Sequence, residues 1–106
     1  MPAVIAEEHL VGRRPGGETF QVRVMIGAPE RRVKMSPAWQ CTVAVEPLWE
    51  GPFAIYGEGS LQTLCLAAKY AVQMLDAFIE QGGTLEYTDG TEFDAKPFGF
   101  RLLSRE

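Results

Sequence analysis

Histidine is the usual general base near neutral pH, and this 106-residue chain has one, His9. No nucleophile or carboxylate stands at a recognisable motif spacing from it, so it reads as an exposed or half-exposed strand side chain. Cys41 and Cys65 are the only cysteines. With a single histidine they cannot complete a four-ligand zinc site, and they read as two reduced, buried, small apolar side chains rather than a disulfide. Gly57-Glu58-Gly59-Ser60 precedes a helical pattern, where free amides attract anions. It lacks the dinucleotide spacing and the lysine of a phosphate loop, and Glu58 would repel a phosphate, so it reads as a capping turn. No catalytic, cofactor-binding or metal-binding residue is assigned, and the chain reads as a non-enzyme.

Two features point to binding instead. Glu86, Asp89, Glu92 and Asp94 make the C-terminal part locally acidic. They lack the twelve-residue calcium-loop pattern with its closing glutamate, so they read as hairpin charges or as a patch facing a basic partner. Trp49 lies in a loop bounded by Pro47 and Pro52 and is expected to be exposed, where tryptophan is a frequent interface anchor. These five are the candidate interaction residues.

The elements that position them follow from periodicity. Val4 to Val11 is β-prone and ends at the turn signal Gly12 to Gly17, and it reads as a first strand at a sheet edge. Phe20, Val22, Val24 and Ile26 alternate with Thr19, Gln21, Arg23 and Met25, and Trp39, Cys41, Val43 and Val45 repeat the pattern against Gln40, Thr42, Ala44 and Glu46. Phe53 to Tyr56 gives a short fourth strand. Between the second and third strands, Arg31-Arg32 and Lys34 read as a solvated loop. Ser60 is the expected N-cap of a long helix, with Leu61, Leu64, Cys65, Ala68, Ala71, Val72, Leu75, Phe78 and Ile79 as its buried stripe. Gln62, Lys69, Gln73, Asp76 and Glu80 are placed on the solvent side. Gly82-Gly83 supplies the stop. Asp89-Gly90 signals a hairpin turn beyond it, and Phe93, Phe98 and Phe100 follow in a hairpin or extended arm. The expected fold is α+β over residues 1–106, a single domain: an antiparallel four-stranded β-meander packed on one long α-helix, with a short C-terminal hairpin or arm.

The segment Ile55 to Ala67 resembles the strand–Gly–Ser–helix junction of a family of small bacterial proteins in which a meander precedes one long helix. The resemblance implies that fold and brings no activity with it. Some small acidic bacterial proteins of this layout are immunity proteins that neutralise toxins, which is an analogy of fold.

A net charge of −4 argues against a nucleic-acid backbone as partner, because phosphate binding needs clustered Lys and Arg. There is no run of about 20 apolar residues for a membrane span, and no basic-then-apolar leader pattern, so a cytoplasmic bacterial protein is expected. The leading functional reading is a protein-binding domain whose partner is another protein or a second copy of itself. The alternatives are a small-molecule-binding domain or enzyme using space between helix and sheet, and an immunity protein.

Overall fold

A computed structural model describes residues 3–101. The chain is α+β, a six-stranded antiparallel sheet with one long helix on one face. The strands are β1 (Val4–Arg13), β2 (Thr19–Gly27), β3 (Glu30–Arg31), β4 (Trp39–Glu46), β5 (Phe53–Gly57) and β6 (Thr84–Tyr87). The helix α1 spans Ser60–Glu80. The four strands expected from alternation are β1, β2, β4 and β5, and each pairs antiparallel with the next.

The two added strands correct the sequence reading in physically simple ways. Glu30 and Arg31 pair with Gln40 and Trp39 on the edge of β4 that β2 also occupies, since β5 takes the other edge. A two-residue strand is too short to show alternation. At the opposite side β6 pairs with Leu10 to Arg13, so only the first half of β1 lies at the edge. The Asp89-Gly90 turn forms as expected, with Glu86 and Glu92 bridged across it, and a single 3-10 turn follows at Lys96–Phe98. Phe93 is buried and meets Tyr87 and Phe98 at ring distances of 5.9 and 5.7 Å. It is the pin that holds this arm to the domain.

The helix-facing side of the sheet is the alternating set: Val22, Val24 and Ile26 from β2 with Cys41, Val43 and Val45 from β4. The helix side departs from the expected stripe. Thr63, Ala67, Ala71, Met74 and Leu75 are buried, whereas Leu61 and Cys65 are exposed. Small residues, Thr63, Ala67 and Ala71, fill the buried positions of the first half of the helix, and Met74 and Leu75 those of the second. Asp76, expected in solvent, is 1 % exposed.

The helix ends show one correction and one agreement. Gly59, not Ser60, is the N-cap, and no side chain caps it there. The first turn is instead tied by Gln62, whose Oε1 accepts from the Glu58 amide at 2.8 Å, and by the Thr63 hydroxyl, which donates to the Gly59 carbonyl at 2.7 Å. At the other end Gly82 adopts φ +97°, its amide donates to Ile79 and the Gly83 amide donates to Phe78. That pair of bonds is the Schellman stop, and its left-handed residue favours glycine.

The face away from the helix carries a small charge cluster. Arg23 Nε donates to Glu7 Oε2 at 2.8 Å, and His9 Nε2 lies 2.7 Å from the same oxygen. The Arg23 hydrogen bond holds the Glu7 carboxyl below its ordinary range. A carboxylate with a lowered folded pKa adds stability above its unfolded pKa and loses it as pH falls through the folded value. Glu7→Gln is therefore expected to lower the urea midpoint slightly at pH 7, and the gap from the parent protein should narrow as pH falls through the lowered pKa of the Glu7 carboxyl. A gap of equal size above and below that pKa would remove the ion pair as its cause.

Candidate functional site

Three of the five candidate interaction residues meet at one place. The last turns of α1, the β1 and β6 strands and the returning arm of the hairpin enclose a cleft of about 830 Å³. Glu86, Glu92 and Asp94 line it, together with the buried Asp76. Among the described residues the lining sets one basic residue, Arg13, against these four acidic ones.

The local sequence explains the arrangement. Residues alternate along an extended segment, so with Phe93 fixed inward its neighbours Glu92 and Asp94 are directed away from the core. The same alternation buries Leu85 and exposes Glu86 on β6. The Glu86–Glu92 bridge then sets two carboxylate side chains directly opposite each other. Like charges in that relation oppose pairing. The hairpin is held by Phe93 and by the turn, in which the Tyr87 amide donates to the Thr91 carbonyl at 2.7 Å and the Phe93 amide to the Leu85 carbonyl at 3.0 Å.

Asp89 stays outside the cleft. Its carboxylate accepts from the Thr91 amide at 2.9 Å, and that bond holds its pKa below the ordinary value. This is a turn-forming role. Asp94 both lines the cleft and accepts from the Lys96 amide at 3.0 Å, starting the 3-10 turn. Trp49 is 46 % exposed, as expected, but belongs to a different groove. The sequence reading missed Arg13 and Asp76. Asp76 stands four residues after the buried Val72 and three before Ile79, the spacing of the buried stripe itself, and its charge alone set it on the solvent side in the sequence reading.

The remaining chemistry-bearing residues are dispersed. His9 is paired with Glu7 on the far side of the sheet. Cys41 is buried and donates to the Gly27 carbonyl at 3.3 Å, burial pushing its thiol pKa up, while Cys65 is exposed on the helix. Arg32 is less solvated than expected: it stacks 4.6 Å over the Tyr56 ring and donates to the Pro37 carbonyl. Among the described residues no group of three or more His, Cys, Asp or Glu side chains is gathered to hold a metal ion. No described helix is long and apolar enough to cross a membrane. Comparison of the chain with family models, with curated proteins and with solved structures gives no match.

Proposed function

We propose that this protein is a non-catalytic binding domain whose acidic cleft receives a basic segment of a protein partner. The observation that carries this reading is the opposed Glu86 and Glu92 pair on the wall of the cleft. An arrangement that costs the free protein repulsion gains from a lysine or arginine placed between the carboxylates. Residues that weaken a fold while facing a cleft are a common mark of function. A toxin is one form such a basic partner takes, which keeps the immunity role within this proposal. The two free thiols, Cys41 and Cys65, fit a reducing compartment, and the bacterial cytoplasm is part of the same reading.

The test compares the parent protein with Glu92→Lys. The substitution places opposite charges across the hairpin, so its stability is expected to rise by about 0.5 kcal/mol. Its capture of basic proteins from the lysate of its own cells should fall at least tenfold, and capture by the parent should weaken steeply with added salt. A variant that is more stable and still retains the same partner would sink the proposal, as would a parent protein that retains no basic partner at low salt.

A further inference from the structure

A second depression, sharing only Gly83 with the acidic cleft, has the opposite character. It is a groove of about 220 Å³ between the helix and the loop after β4. Leu48 and Trp49 form one wall, and Met74, Ala77 and Phe78 of α1 form the floor. Arg14, from the β1–β2 turn, also lines it. The guanidinium carbon lies 4.7 Å from the Phe20 ring centre and 5.9 Å from that of Phe78, and those two rings meet edge to face at 5.9 Å. The cation is thus held in place by aromatic faces, which leave its N–H edges available to an acceptor. Among the described residues no carboxylate lies within salt-bridge distance of Arg14.

An apolar groove lined by a guanidinium held on aromatic faces is complementary to a carboxylate that carries one apolar group. Its volume is below the roughly 300 Å³ at which sites for drug-sized molecules begin, which limits that group to about one ring. We propose that this groove binds a free small carboxylate bearing a single aromatic or branched apolar group. The carboxylate pairs with the N–H edge of Arg14, and the apolar group lies between Trp49 and the Met74 and Ala77 side chains. This site is independent of the acidic cleft. It gives Trp49 a role that the cleft does not.

The probe is 3-phenylpropionate, titrated into the isotopically labelled full chain and followed by amide and indole N–H resonances. A saturable shift of the Trp49 indole is expected, with Kd on the order of 1–10 mM for a ligand of this size. The Trp39 indole, elsewhere in the fold, should stay still. The neutral amide, 3-phenylpropionamide, should bind at least tenfold more weakly, and Arg14→Gln should lose the same factor toward the acid. Should Arg14→Gln fail to fold, the acid-against-amide comparison on the parent protein still decides. Equal binding of acid and amide overturns the proposal, as does the absence of a saturable Trp49 shift up to 50 times the upper expected Kd or the limit of solubility. Tighter binding of an acetylated dipeptide ending in phenylalanine than of the free acid overturns the small-molecule source in favour of a protein C-terminus.

Discussion

Leu75→Asp is expected to unfold the domain, whereas Leu61→Asp, the same change on the same helix, should leave the urea midpoint within about 0.5 kcal/mol of the parent. Leu75 is 3 % exposed and belongs to the core formed with Val22, Val24 and Val43. A carboxylate there loses its hydration and gains no compensating cation, at a cost comparable to the whole stability of a small domain. Leu61 is 73 % exposed in the first helical turn. That turn has no acidic residue, and a negative charge near a helix N-terminus interacts favourably with the free amides. Urea melts of the two variants compare facing, because the N-terminal gain at Leu61 is small beside the cost of burying a carboxylate at Leu75. Equal shifts would mean that the helix sits on the sheet in another rotation.

That comparison also marks how far the sequence could be read. Strand alternation identified the helix-facing set of β2 and β4 correctly, although Met25 and Ala44 of the other face are buried as well and Trp39 is only half-buried. The extent of the helix was legible too, from the glycines around it. Its rotation was legible only in part: Leu64, Ala68, Val72, Leu75 and Phe78 do face or flank the core, but Leu61 and Cys65 do not. Hydropathy ranks leucine above alanine and threonine for burial, whereas a helix that approaches its sheet closely selects for small side chains. The candidate site was half legible for a related reason. Glu86, Glu92 and Asp94 could be grouped by their local acidity, whereas Asp76 was set in solvent because it is charged, although its spacing from Val72 and Ile79 is that of the buried stripe.

Close approach is itself testable at Gly57, the buried last residue of β5. It pairs with Trp39 across the sheet, and the first helical turn rises directly over it. A Cβ at this position would overlap the Thr63 hydroxyl oxygen, and it would stand 3.0 Å from Gln62 Oε1 and 3.2 Å from Thr63 Cα. Neither side chain is free to swing aside. The Thr63 hydroxyl is bonded to the Gly59 carbonyl and the Gln62 amide group to the Glu58 N–H, so moving them undoes the turn that starts the helix. Gly57→Ala should therefore cost about 2–3 kcal/mol, in the range of overpacked cores. Gly59→Ala is the control: it has an extended φ of −140° and open space where its Cβ would go, and should cost under about 0.5 kcal/mol. Thr63→Ala alone should cost about 1–2 kcal/mol through its lost hydroxyl bond and buried methyl. Because that change also removes the oxygen the new Cβ would strike, the double variant Gly57→Ala/Thr63→Ala should be more stable than the sum of the single losses by at least about 1 kcal/mol. Strict additivity in thermal or urea melts would show that strand and helix do not meet at this point, and the seat of the helix on the sheet would have to be placed elsewhere.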